Sequence, residues 1–292
     1  MIIGLLLFLC LMEPLFAADK SQQIDFTRLI ESAEFANAAY QPEAEIAELI
    51  RSSNYRLTQY HTIPENQVSY FIATNELTKT QLIAVRGTSN VENAIVDISL
   101  KLTQDERTGL RVHAGFSSAA LQIYDDIQPF LKKNYTINTT GHSLGGAVAL
   151  IVAMYLDSDQ YRVGQVITFG QPKVTNLAGA NAFQHLKIIR VVTALDLVPL
   201  VPPFDPLDIN NLDIYWHSGQ EVLLLAGTKY SILEGINSML RTTRFTQKKL
   251  TEDNLHNHKM ALYLELLNQK KQSNELIPHK NSFNLFNLFG SE

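Results

Sequence analysis

Gly141-His142-Ser143-Leu144-Gly145 sets a serine between two glycines, after a short extended run ending at Thr140 and before an apolar run from Leu144 to Leu156. This is the G-x-S-x-G pattern of a nucleophile carried on a tight strand-to-helix turn. On such a turn, side chains two residues to either side of the serine would collide, and glycine removes them. The hydroxyl then stands at the carboxyl edge of a sheet. The helix N-terminus behind it offers free N–H groups and partial positive charge to a developing oxyanion. The chemistry implied is acyl transfer through a covalent serine intermediate. Residues 141–146 fit neither G-x-G-x-x-G nor a phosphate loop ending in Lys-Ser or Lys-Thr, so they give no support to nucleotide binding.

A serine nucleophile needs a base, and the base needs an orienting acid. On this kind of turn the chain order is serine, acid, histidine. Val191 to Leu195 reads as the end of a strand, and Asp196 follows it. Asp205 and Asp208, in a Pro-rich stretch, are weaker candidates. Four histidines follow Asp196. His217 precedes a strand beginning near Val222, at the wrong edge of the sheet, and His279 lies near the end of the chain. His256 and His258 lie where the last helix begins. His258, expected in the loop just before Met260, is the favoured base because a loop at that point can reach over the sheet edge to Ser143. The competing reading of His256-x-His258, with Asp253 as a third ligand, is a metal site, but two imidazoles alone do not complete one.

These residues require a scaffold, and the pattern supplies one. Helical spacing runs from Asp25 to Tyr40, from Phe116 to Leu131, from Leu144 to Leu156 and from Met260 to Leu267. Strands are expected at 68–73, 82–85, 136–140, 163–169, 188–193 and 222–226. Strands alternating with helices imply a mostly parallel sheet covered on both faces. No linker or repeat interrupts residues 19–268, which read as one domain. Residues 269–292 read as a polar tail with an apolar exception from Phe283 to Phe289.

Composition closes off other classes. The chain has 292 residues, a net charge of −5 and one Cys. A phosphate-gripping protein usually shows a basic excess, so no nucleic-acid partner is expected. One Cys permits neither an intramolecular disulfide nor a Cys-rich zinc module. Residues 2–12 form an uncharged, mostly apolar run, ended by Glu13-Pro14 and followed by Ala17-Ala18. Eleven helical residues reach about half of a ~30 Å hydrocarbon core. Residues 1–18 therefore read as an export signal, and the protein as secreted.

Arg86-Gly87-Thr88, Val112-His113-Ala114-Gly115-Phe116, Gly141 to Gly146, Asp196-Leu197-Val198-Pro199 and His258-Lys259-Met260-Ala261-Leu262-Tyr263 occur in that order. With these five landmarks the chain resembles the class 3 lipases, the fungal-lipase-like branch of the α/β-hydrolases, from about Phe26 to Leu267. The resemblance implies an α/β-hydrolase fold and a Ser143, Asp196, His258 triad, with Thr88 and the Leu144 backbone N–H as the oxyanion hole. It implies no cofactor and no metal, and makes His113 and His217 structural. The substrate it implies is a lipid ester at a lipid–water interface. Phospholipase A1, feruloyl esterase and soluble-ester esterase are the enzymatic alternatives; a non-catalytic lipid-binding or effector protein is the other class. The family keeps a lid between Arg86 and His113. Here Val91, Ala94, Ile95, Ile98 and Leu102 fall on one stripe of a helix, so residues 89–104 are expected to form an amphipathic segment that touches lipid.

Overall fold

The computed structural model describes residues 24–64, 68–88, 101–202, 214–242 and 252–279. Helices α1 (Phe26–Ala38) and α2 (Glu43–Arg51) lead into strands β1 (Arg56–Ile63), β2 (Val68–Asn75) and β3 (Thr80–Val85). Strands β4 (Leu102–Gln104) and β5 (Arg111–His113) precede helix α3 (Ala114–Ile127). Then come β6 (Thr136–His142), α4 (Leu144–Ser158), β7 (Val163–Phe169), β8 (Thr175–Asn176), α5 (Leu177–Ala182) and β9 (Lys187–Thr193). The described chain ends with β10 (Tyr215–Trp216), β11 (Gln220–Leu224), β12 (Lys229–Leu233), α6 (Gly235–Thr242), α7 (Glu252–His258), α8 (Met260–Gln272) and β13 (Glu275–Leu276).

Among the described residues, nine strands hydrogen-bond in the order β1-β2-β3-β6-β7-β9-β11-β12-β13. The central neighbours β3, β6, β7, β9 and β11 are parallel, while β1–β2, β2–β3 and β11–β12 are antiparallel. Register decides where the candidate site residues meet. Val85 lies opposite Gly141, His142 opposite Phe169, and Phe169 opposite Val191. Four carboxyl ends thus reach one level, and the segments leaving them carry Thr88, Ser143, Gly170 and Asp196.

Alternation along the strands sorts the core into layers. Ile83, Val85, Ile137, Val166 and Ile188 face α3 and α4. From the other face Ile167, Phe169, Val191 and Val222 meet α1 and α8, while Leu82 and Ala84 meet α1 and α2. Every residue of α4 from Gly145 to Leu156 is buried, so this helix has no polar stripe. It fills the space between the sheet and α3, holding the turn at its N-terminus against rigid surroundings.

Three expectations change. Leu102 is not on an amphipathic helix: it is buried in β4, paired with His113 of β5. The other residues of that stripe, Val91, Ala94, Ile95 and Ile98, lie outside the described residues, as do residues 1–18, Asp205, Asp208 and Phe283 to Phe289. His258 is not in a loop but ends a short helix, α7, and Lys259 is the break before α8. Beyond Asn268, α8 continues to Gln272, with Lys270 buried and its ammonium donating to the Leu225 and Gly227 carbonyls at 2.8 Å each. Glu275 and Leu276 then pair with β12.

Candidate active site

The turn between β6 and α4 is as tight as the two glycines suggest. A Cβ on Gly141 would lie 2.5 Å from the Gly145 carbonyl, and one on Gly145 would lie 2.3 Å from the Val85 carbonyl oxygen. Backbone atoms cannot give way at these distances, so both positions require glycine. Ser143 takes the strain, with φ +59° and ψ −132°. A non-glycine residue held there costs on the order of 1–3 kcal/mol. The surrounding packing sustains it, and the Ser143 N–H is bonded to the Phe169 carbonyl of β7 at 2.8 Å. Leu144 opens the helix behind it, where the first N–H groups have no intrahelical acceptor.

Asp196 follows β9 by three residues and is fully buried. One carboxylate oxygen accepts the Val198 N–H at 2.9 Å. The other accepts His258 Nδ1–H at 2.8 Å and the Tyr263 hydroxyl at 2.5 Å. With Nδ1 so engaged, His258 presents Nε2 as its free ring nitrogen. The buried Nε2 of His258 and the buried Oγ of Ser143 both lack a hydrogen-bond partner among the described residues. A base held in one tautomer by a carboxylate, and a nucleophile on a strained turn, are the parts of a proton-transfer couple. Without substrate, such couples are often longer than a hydrogen bond.

Local bonds fix the histidine. Thr193, the last residue of β9, donates its hydroxyl to the Asn257 carbonyl at 2.8 Å, and Asn254 donates to the Leu195 carbonyl at 2.9 Å. The end of the acid strand is thereby stapled to α7. Gly170 sits between the partners with φ +57°, and a Cβ there would fall 2.8 Å from both the Asp196 carboxylate and the His258 ring. Tyr263 lies one turn into α8 and is fully buried. Burial, followed by the Asp196 charge, holds its hydroxyl far above the usual phenol range, so it remains a donor.

The other sequence candidates fall elsewhere. His256 is exposed on α7, and among the described residues no group of three or more His, Cys, Asp or Glu is placed to hold a metal ion. His113 caps α3 by accepting the Phe116 N–H at 3.3 Å and stacks on the Phe116 ring. His217 is buried, and its Nε2–H donates to the Pro199 carbonyl at 2.7 Å, bracing the loop beyond Asp196. Burial, with Arg190 and Lys173 nearby, holds its imidazole well below its ordinary pKa. Thr88 follows β3 at the site level and is half-buried.

Two contributors carried no distinguishing signal. Tyr263 stands in the last landmark motif, but only the packing of α8 against β9 shows that it reaches Asp196. Gly170 follows a strand end, as many glycines do. Tyr263→Phe removes one of three donors to the Asp196 carboxylate while preserving the ring. A bond to a charged group contributes about 1.5–3 kcal/mol, so the variant should melt lower and turn over roughly tenfold more slowly. Paired thermal melts and kcat measurements check this; wild-type values in both would remove Tyr263 from the acid's support.

A mostly parallel sheet with a glycine-flanked serine turn after β6, an aspartate after β9 and a histidine before α8 is an α/β-hydrolase fold. Residues 82–205 match the family model of lipase (class 3). That span contains Thr88, Ser143, Leu144 and Asp196; His258 lies beyond it. The chain is 33% identical over 146 residues to a lipase of Rhizopus niveus, covering 46% of this chain and 37% of that protein. It is 34% identical over 145 residues to the secreted mono- and diacylglycerol lipase 1 of Fusarium solani, covering 47% and 43%. The match thus spans about two fifths of the length of these curated relatives. Among solved structures, lipase II from Rhizopus niveus aligns with a TM-score of 0.60 at 25% identity, covering 70% of this chain and 82% of that one.

Proposed function

We propose that this protein is a secreted serine hydrolase that cleaves carboxylic esters of lipids. The observation that carries the reading is the His258–Asp196 bond at 2.8 Å, with His258 Nε2 and Ser143 Oγ both buried and without a hydrogen-bond partner among the described residues. Ser143 Oγ attacks the acyl carbon as His258 Nε2 takes its proton. The Thr88 and Leu144 backbone N–H groups receive the oxyanion. When the carbon–oxygen bond to the alcohol breaks, His258 returns that proton to the leaving oxygen. Water then attacks the acyl-enzyme, giving a proton to His258, and the fatty acid leaves as Ser143 recovers it. Asp196 keeps Nδ1 protonated throughout and stabilises the imidazolium. None of these steps calls on a cofactor or metal.

Lipid as the substrate is supported by the class 3 lipase segment and by relatives named as lipases, one of them a secreted mono- and diacylglycerol lipase. That name and the apolar run at residues 2–12 support export. The test is a hydrolysis panel of short soluble esters, emulsified triacylglycerol and phospholipid vesicles, with fluorophosphonate labelling of Ser143 alongside. Labelling with turnover of emulsions is the expected result; no labelling defeats the reading, and turnover of soluble esters alone makes the protein a plain esterase.

The sequence of residues 89–104 adds contact with the lipid surface to the same reading. With Leu102 committed to β4, Val91, Ala94, Ile95 and Ile98 remain of the expected apolar stripe, and Val91, Ile95 and Ile98 are its large members. Full burial of each contributes roughly 1.5–3 kcal/mol, less at a half-wetted surface. Ile95→Asp with Ile98→Asp should therefore depress emulsion hydrolysis more than soluble-ester hydrolysis. An equal loss on both substrates would withdraw these residues from lipid contact.

A further inference from the structure

His142, beside the nucleophile in the elbow motif, has no role in the proton-transfer steps above, yet it is buried and fully bonded. Its Nε2 lies 2.7 Å from the backbone carbonyl of His258, and its Nδ1 lies 2.9 Å from the Tyr40 hydroxyl. A carbonyl can only accept, so the proton resides on Nε2, Nδ1 is bare, and Tyr40 is the donor. The Tyr40 hydroxyl also packs against Gly87, the residue before Thr88: a Cβ on that glycine would lie 2.5 Å from it. Burial pushes the phenol up to about 12, so the donor does not ionise at neutral pH. Two hydrogen bonds and this packed contact link the turn after β3 to the backbone of the histidine.

We infer that Tyr40 and His142 are positioning residues, a neutral hydrogen-bond relay that braces the backbone of His258 against the turn carrying Thr88. The inference rests on the hydrolase reading and assigns what sets its geometry. His258 ends a short helix, so its ring position depends on how its backbone is held. The Thr193 hydroxyl holds one carbonyl, that of Asn257, and His142 holds the next. The relay's origin is the opposite side of the nucleophile, at Gly87. A shift of Thr88 relative to His258 therefore disturbs that contact or breaks one of the two hydrogen bonds, so the oxyanion donor and the base are held together.

Electrostatics favour the same arrangement. The rings of His142 and His258 lie 4.4 Å apart between centroids, inclined by 35°. His258 becomes an imidazolium during turnover, and a charged ring at that distance would oppose it. Burial, and then the neighbouring His258, keep His142 well below its ordinary pKa and hence neutral. A bare Nδ1 already filled by the Tyr40 proton leaves no site for a second proton on His142.

The test compares kcat and KM on a short soluble ester, and fluorophosphonate inactivation rates, for wild type, Tyr40→Phe, His142→Phe and His142→Gln. Glutamine matters because its Nε2 stands as many bonds from Cβ as the histidine Nε2 and can donate to the same carbonyl. His142→Phe is expected to lower kcat and the inactivation rate about a hundredfold, the scale of a 1 Å misplacement in a catalytic site. Tyr40→Phe, which deletes one neutral bond, should lower both about tenfold. KM should stay within about twofold, since substrate contacts are retained. His142→Gln should regain at least about tenfold over His142→Phe, a rescue that a volume-filling role for His142 does not give.

A folded His142→Phe protein with wild-type kcat overturns the relay, as does a His142→Gln variant no faster than His142→Phe. Should the phenylalanine variant not fold, Tyr40→Phe and His142→Gln carry the test, and wild-type rates in both overturn it. Wild-type protein that fails to label defeats the hydrolase reading and the relay with it; wild-type labelling with unaffected variants defeats the relay alone.

Discussion

Ser143→Ala is expected to lower ester hydrolysis on the order of 10⁴-fold or more, leaving what the oxyanion donors and binding supply. The fold should survive, because Oγ makes no hydrogen bond among the described residues whose loss would matter. The backbone adds a second, opposite expectation. With φ at +59° the serine is strained, and glycine relieves that strain without changing any packed neighbour. Ser143→Gly should be as inactive as the alanine variant yet more stable by roughly 1–3 kcal/mol. On a chain of this size that raises the melting temperature by about 2–4 °C for each kcal/mol. Inactivity joined to a higher melting point would show strain maintained for chemistry at this residue. More than about a hundredth of wild-type turnover in a folded, uncontaminated alanine variant would instead remove Ser143 as the nucleophile.

The elbow was legible because its demands are local. Two glycines, a serine and an apolar helix are adjacent in the chain, and the collisions that require them involve atoms only a few residues away. β7 was legible for a related reason: both faces of the sheet are covered at its carboxyl half, so Val166 to Phe169 are all buried. β1 was not legible. It is an edge strand in which Leu57 to His61 are all half-buried, with no clean alternation to report it. The turn from α7 into α8 shows the same limit. Residues 252–258 are polar and suggest a loop; the bonds that make them a helix with a fixed position come from Thr193 and Leu195, some sixty residues earlier. Types and spacing identified the candidate acid and base. The partners that orient them, Tyr263 and His142, are visible only once strand register has brought distant carboxyl ends to one level. Leu102 failed for the converse reason: its helical spacing with Ile95 and Ile98 is real in the sequence, but pairing with His113 claims it for a strand.

Histidine substitutions should separate the three candidates by different observables. His258→Ala is expected to fall to about the level of the serine variant, since it removes both the acceptor of the serine proton and the donor to the leaving alcohol. Combining it with Ser143→Ala should cost little more than either alone, because the two act as a unit. His256 is exposed on α7, and its replacement should leave activity near wild type, with stability changed by under ~0.5 kcal/mol. His217 calls for a different expectation from the one a surface histidine would carry. It is buried, and its Nε2–H satisfies the Pro199 carbonyl three residues beyond Asp196. His217→Ala leaves that carbonyl without its donor and opens a small cavity, so it should destabilise the protein by about 1–3 kcal/mol. Because Asp196 retains the Val198, His258 and Tyr263 donors, kcat of the folded fraction should remain within a few-fold of wild type. Thermal melts and kcat measured on the same preparations distinguish the cases: His258→Ala stable and inactive, His217→Ala active and less stable, His256→Ala neither. An inactive His256→Ala beside an active His258→Ala would reverse the assignment. Loss of kcat in a fully folded His217→Ala protein would show that the loop beyond Asp196 needs its Pro199 anchor for the chemistry as well as for the fold.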